Sequence, residues 1–248
     1  MTVPAAMGTL AIHRSDAYAR RCEAVVTAVD EHGVELDRTV FYPLGGGQAG
    51  DSGALLLADG SRVAVVDARK SRRGDATPDD TLHVLDPASS WRDRLAVGTA
   101  VTAEIDWERR WRHMRLHTAT HLLCAVVPAA VDGCSVTAGY ARLDFVMTAP
   151  LDRDEVQRRL DALVAQALPV ACEWIDDDEL RANPQLVRSM SVGPPLGFGR
   201  VRLVRIGDVD LQPCGGTHVR NSAEVGAVRV GRIEKKTART RRVVLEFA

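Results

Sequence analysis

Residues 106–128 read Asp106-Trp107-Glu108-Arg109-Arg110-Trp111-Arg112-His113-Met114-Arg115-Leu116-His117-Thr118-Ala119-Thr120-His121-Leu122-Leu123-Cys124-Ala125-Val126-Val127-Pro128. Asp106 offers the short acceptor side chain that caps a helix. An apolar stretch then runs to Val127, and Pro128, which has no N–H to give, ends it. This helix divides the chain. Ahead of it the apolar runs are short and bounded by turn residues; behind it helical and strand patterns mix. The class expected is α+β, with one domain over residues 1–104 and a second over residues 105–248.

Upstream, Ala24–Val29 and Val34–Leu36 flank Asp30-Glu31-His32-Gly33. Ala54–Leu57 and Val63–Asp67 flank Asp59-Gly60, and Leu82–Leu85 and Val101–Ile105 follow. That spacing predicts hairpins closing into a small barrel or sandwich. Residues 69–80 are polar, with Gly74 and Pro78, and read as a loop. Downstream, Ser135–Met147 predicts a hairpin turning near Gly139. Asp152–Leu168 carries Val156, Leu160, Leu163 and Val164 at helical spacing. Strands are expected at Val170–Ile175, Arg200–Ile206, Ala227–Ile233 and Val243–Leu245, with a short helix before Pro184.

His117 and His121 stand four residues apart and share one helix face. Nearly a hundred residues on, Cys214-Gly215-Gly216-Thr217-His218 repeats the same spacing between a thiol and an imidazole. Together they make a tetrahedral zinc set of His117, His121, Cys214 and His218. The two glycines would let the backbone turn sharply between the second pair. Cys124, on the same helix face as His121, is a rival thiol, but its neighbours Leu122, Leu123, Ala125 and Val126 read it as core. A zinc peptidase would place glutamate after the first histidine, and here that residue is Thr118. Four protein ligands close a zinc site unless one is loose, so spacing alone leaves structural and catalytic roles open.

A second unusual segment is Gly45-Gly46-Gly47-Gln48-Ala49-Gly50-Asp51-Ser52-Gly53, with five glycines in nine positions. Its backbone can approach a ligand closely, yet it lacks the Lys-Ser/Thr ending of a phosphate-binding P-loop.

The net charge of −1 gives no global attraction to nucleic acid, so a polyanion must meet a local patch. From Arg229 to Ala248 seven basic residues stand against Glu234 and Glu246, among them Lys235, Lys236, Arg239, Arg241 and Arg242. Arg200, Arg202 and Arg205 are expected to add positive side chains along one strand face. No apolar run approaches bilayer length, and Met1–Arg14 lacks a leader pattern. Five irregularly spaced cysteines argue against a disulfide framework. A cytoplasmic protein, with no membrane and no obligate protein partner, is the expectation.

Four stretches in this order resemble the freestanding alanyl-tRNA editing proteins of the AlaX type, relatives of the editing domain of alanyl-tRNA synthetase. They are Asp37–Pro43 running into the Gly-Gly-Gln loop, Met114–Leu123 around the two histidines, Arg142–Phe145, and Asp210–His218. The resemblance implies an N-terminal β-barrel-like domain followed by a zinc-binding α+β editing domain of the medium form. It implies hydrolysis of serine, and in some members glycine, from tRNA(Ala). Two departures stand out. Ala138 follows Thr137 where related synthetase domains often carry glutamine, and the basic tail after Glu234 lacks the family's glycines.

The expected activity is therefore deacylation in trans of mischarged tRNA(Ala). Zinc and a positioned water would act with Thr120, Thr137 and Gln48 as polar pocket residues and Gly45, Gly46, Gly47 and Gln48 as a substrate loop. Thr137 matches the family position for contacting the serine hydroxyl. The runner-up is a noncatalytic RNA-binding module with a structural zinc, and a third reading is a small-molecule metallohydrolase.

Overall fold

The computed structural model describes residues 8–187 and 199–248. Residues 1–7 of the stretch read for a leader lie outside the described residues. The chain forms two compact units. One comprises Met1–Gly45 and Ala49–Arg110; the other comprises Gly46–Gln48 and Trp111–Ala248.

The first unit is a closed antiparallel barrel. Its strands are β1 (Arg21–Val29), β2 (Gly33–Leu36), β3 (Gly53–Leu56), β4 (Arg62–Lys70), β5 (Thr81–Leu85) and β6 (Ala100–Ile105). They pair in the order β1-β2-β5-β4-β3-β6, and β6 returns to β1. Strand β4 shows why the sequence closes this way. Val63 and Val65 point inward while Arg62, Ala64 and Val66 face out. The register then shifts between Val65 and Asp67, and Ala68 becomes the buried residue. One extra residue reverses the alternation and bends the strand, as closure requires. Val26, Leu36, Phe41, Leu55, Val63 and Trp91 fill the interior.

Helix α1 (Trp107–Val126) begins as the capping residue predicts, with the Asp106 carboxylate accepting the Arg109 amide at 3.1 Å. Arg110, in its first turn, is completely buried with Asp51. Its guanidinium also donates to the Val40 and Ala17 carbonyls at 2.6 and 2.8 Å. A buried charge is tolerable when its donors are satisfied in this way.

The second unit holds the rest of α1 and two antiparallel sheets. Strands β7 (Val131–Val136) and β8 (Tyr140–Val146) form the expected hairpin. Helix α2 (Arg153–Ala165) is capped by Asp152, whose carboxylate accepts the Asp154 and Glu155 amides. After β9 (Val170–Asp176) come a short helix α3 (Asp177–Ala182), β10 (Arg200–Ile206), β11 (Asp210–Pro213), β12 (Val228–Thr237) and β13 (Thr240–Phe247). One sheet runs β12-β13-β8-β7 and the other β9-β10-β11. The described fold is thus mostly β with few helices, more strand-rich than an even α+β mixture.

Candidate metal centre

His117 and His121 lie one turn apart on α1, and Cys214 and His218 follow the end of β11. Their ligand atoms lie within 4.8 Å of one another. The Cys214 sulfur is 3.3 Å from His218 Nε2 and 3.5 Å from His117 Nε2. Tetrahedral zinc bonds of about 2.0 and 2.3 Å place a nitrogen and a sulfur ~3.6 Å apart, so the spacing suits that ion. All three histidines are buried, and Cys214 is half-buried. Cys124 is buried in α1 and lies outside the group.

Each imidazole is oriented through its other nitrogen. His117 Nδ1 meets Gln48 Oε1 at 2.7 Å. The Gln48 amide is itself fixed, because its oxygen accepts the Thr217 amide at 3.1 Å and its nitrogen donates to the Thr217 hydroxyl at 3.0 Å. His121 Nδ1 meets the Asp210 carboxylate at 2.9 Å. His218 Nδ1 lies 3.2 Å from the Thr118 hydroxyl, which accepts the Val219 amide. An amide oxygen and a carboxylate can only accept, so the proton of His117 and of His121 sits on Nδ1. Their Nε2 lone pairs are left for an ion. This donor set, three imidazoles and one thiol with oriented rings, fits zinc.

The electrostatics agree. Burial raises the Cys214 thiol, but the adjacent His117 and His218 imidazoles outweigh it and hold it well below its ordinary value. Burial likewise opposes charge on His121, yet Asp210 and the Cys214 sulfur push it up to about 10. Burial and the neighbouring His117 charge depress His218 well below the usual histidine range. Cys134 behaves oppositely: burial and the Cys214 charge push it up to about 12, so it stays a thiol.

The glycines have specific tasks. A Cβ on Gly216 would lie 2.1 Å from His117 Cε1, whereas one on Gly215 would meet nothing within 4 Å. Gly216 is required for close approach to a ligand ring, not for the sharp turn expected of it. Gly47 has a φ of +86°, and its carbonyl oxygen accepts the Val136 amide at 2.8 Å, which fixes Gln48 beside His117. Of the expected substrate loop, Gly46, Gly47 and Gln48 thus join the unit that carries the histidines; the Gly45 carbonyl accepts the Tyr42 hydroxyl at 2.7 Å.

The two threonines expected to be polar pocket residues are committed locally. Thr120 donates to the His117 carbonyl at 2.7 Å, within the helix. Thr137 donates to the Tyr140 carbonyl and accepts the Gly139 and Tyr140 amides, closing the β7–β8 turn.

The basic residues divide. Lys235 and Arg239 are exposed. Lys236 and Arg242 bond to the buried Asp144 at 2.8 and 2.7 Å, alongside Arg142 at 2.9 Å. Those cations outweigh burial and hold Asp144 at about 2. Arg241 donates to the Thr148 carbonyl. The expectation that Arg200, Arg202 and Arg205 share one face is corrected. Alternation puts residue 205 opposite to 200 and 202, and Arg205 pairs with Glu173 at 2.5 Å. Arg202 is buried, and its guanidinium holds the Cys214 and Gly216 carbonyls at 2.8 and 2.9 Å.

Asp210, Thr118, Thr217 and Arg202 were not assigned these tasks from sequence. A signal existed for Asp210: a ligand histidine needs an acceptor at its second nitrogen, and Asp210 is the carboxylate nearest the Cys214 motif in sequence.

Comparison with known proteins places the architecture. The model for class II (A) tRNA synthetases matches residues 10–109, and that for the second additional domain of threonyl and alanyl tRNA synthetases matches residues 201–244. The alanyl-tRNA editing protein AlaX-M of Methanosarcina barkeri is 34% identical over 244 residues, which is 95% of this chain and 97% of that protein. Its counterpart in Methanosarcina acetivorans is 32% identical over 238 residues, 92% of this chain and 94% of that protein. The alanine-tRNA ligase of Metallosphaera sedula is 38% identical over 233 residues, 90% of this chain but 24% of the ligase. The chain thus spans about a quarter of that ligase's length and nearly all of the editing proteins. It belongs to the AlaX-M family of alanyl-tRNA editing proteins.

Proposed function

We propose that the chain is an aminoacyl-tRNA deacylase that edits tRNA(Ala) mischarged with serine, and with glycine as a second substrate. The observation that carries this reading is the convergence of His117, His121, Cys214 and His218 in a chain whose full-length relatives are alanyl-tRNA editing proteins. We further propose that residues 1–104 and 105–248 act as separate domains and that the protein works in the cytoplasm. Among the described residues no helix is long and apolar enough to cross a membrane.

An aminoacyl ester is already activated, so the site has to orient a water and stabilise an oxyanion. Zinc held by the four residues would supply Lewis acidity for the carbonyl or lower the pKa of a bound water. Gln48 and Asp210 keep the protons of His117 and His121 on Nδ1. Arg202 fixes the Cys214–Gly216 turn, and the buried rings exclude bulk water from one side. Lys235 and Arg239 are free to meet phosphates, whereas Lys236 and Arg242 also answer Asp144 and contribute through their excess charge.

Release of serine from serine-charged tRNA(Ala), measured with and without a chelator, tests the reading. A noncatalytic RNA-binding module would retain the RNA without turnover. A small-molecule hydrolase would ignore the charged tRNA.

A further inference from the structure

Trp174 is 43% exposed, an unusual position for the largest apolar side chain. Its place in the sheet ties it to the metal centre. It lies directly opposite Arg202 in the β9–β10 ladder, so the two side chains share one face. The Arg202 carbonyl accepts the Cys214 amide at 3.1 Å, and its guanidinium holds the Cys214 and Gly216 carbonyls. On the same face, two strands away, Gln212 lies opposite Val204 and Asp210 opposite Ile206, and Asp210 holds His121. Trp174, Arg202 and Cys214 therefore form one row across the sheet. At about 4.8 Å per strand, the Trp174 backbone lies ~10 Å from that of a metal ligand.

That separation leaves room for a ribose between an aromatic ring and the ester carried on its 3′ carbon. Basic residues share this face: Arg202 is buried on the neighbouring strand with its guanidinium on the Cys214–Gly216 turn, and the exposed Arg200 pairs with Asp176 at 3.7 Å. An exposed flat ring on a face that carries basic residues is a ready platform for an unpaired base, because every base has a π face to stack. We propose that Trp174 stacks the 3′-terminal nucleobase of the aminoacyl-tRNA and so sets the ester over the metal centre. The proposal rests on the editing function given above.

Binding of an uncharged acceptor-stem RNA hairpin ending in CCA, compared with the same hairpin lacking its terminal adenosine, tests it on the metal-loaded protein. Trp174→Ala weakens binding of the complete hairpin by about ten- to a hundred-fold and leaves the shortened one unaffected. Trp174→Phe restores most of the loss. In deacylation, Trp174→Ala lowers kcat/KM by at least the factor by which it weakens the complete hairpin, with KM raised. Equal losses on both hairpins, or no loss on either, would overturn the proposal. Should wild-type protein bind both hairpins as expected yet release no amino acid from charged tRNA, the editing reading falls while the stacking result stands.

Discussion

Gln48 Oε1 accepts the Nδ1 proton of His117 at 2.7 Å, across a sequence separation of 69 residues. The Gly-Gly-Gln segment is therefore part of the metal centre's scaffold. Removing that acceptor frees the His117 ring to rotate and to change tautomer. Gln48→Leu is expected to lower metal affinity by roughly 10- to 100-fold, as loss of such partners does elsewhere. Competition with a metal indicator measures it. Wild-type affinity in Gln48→Leu would mean that the contact orients nothing.

Gly216 and Gly215 are adjacent and make opposite predictions. Gly216→Ala drives a methyl into His117 and should strip metal from the site, with ring displacement visible as a loss of bound zinc. Gly215→Ala meets open space and should keep full metal content. Elemental analysis of both proteins is enough. Similar metal loss in the two would point to backbone flexibility, not to room for the His117 ring.

The split between legible and hidden features follows from range. Helix α1 could be read because its cap, apolar stretch and terminating proline are all local. His117 and His121 stood out because helical spacing puts them on one face, and Cys214 and His218 because they repeat it. What stayed hidden depends on tertiary register. Thr118 meets His218 only because the Cys214–His218 segment crosses α1 at that turn. Gly216 looked like a turn residue because a sequence does not show which side chain approaches it. Arg205 faces away from Arg200 and Arg202 because strand alternation has a period of two, and the hold of Asp144 on Lys236 and Arg242 comes from a strand register that the basic run itself does not show. The two-residue alternation of β4 suggested a strand, while the bulge near Asp67 that closes the barrel has no marker in the residue pattern.

His83 gives the barrel a pH dependence. Its ring is buried, with Nε2 2.7 Å from the Thr39 hydroxyl and Nδ1 3.1 Å from the Val34 carbonyl. Burial pulls it down to about 4 from an ordinary 6.5. Between those values the unfolded chain binds a proton that the folded barrel refuses, so stability rises with pH. As pH falls through that window the wild type should lose up to about 1.4 kcal/mol per pH unit from this residue. Denaturant unfolding at several pH values, compared with His83→Gln, isolates the contribution. Parallel pH curves for the two proteins would show that His83 titrates normally.

Serine differs from alanine by a hydroxyl, so a serine editor needs a group that bonds it. Thr137 is the position proposed for this task, with Thr120 as second choice. Leaving such a group unpaired against alanine costs about 1–3 kcal/mol, roughly 5- to 150-fold in rate. Thr137→Val should narrow the preference for serine-charged over alanine-charged tRNA while leaving metal bound. The hydroxyl of Thr137 would have to exchange one of its turn bonds for the substrate. Thr120 keeps a lone pair beyond its bond to the His117 carbonyl. An unchanged ratio of the two deacylation rates in Thr137→Val would move the role to Thr120.

Serine release from serine-charged tRNA(Ala) is the most direct test of the account. It should be timed for the zinc-loaded protein, the chelated protein, the chelated protein given zinc again, and Cys214→Ala. Rapid release is expected from the first, near-background rates from the second and fourth, and recovery in the third. Undiminished release by Cys214→Ala after its zinc is shown to be lost would contradict that expectation.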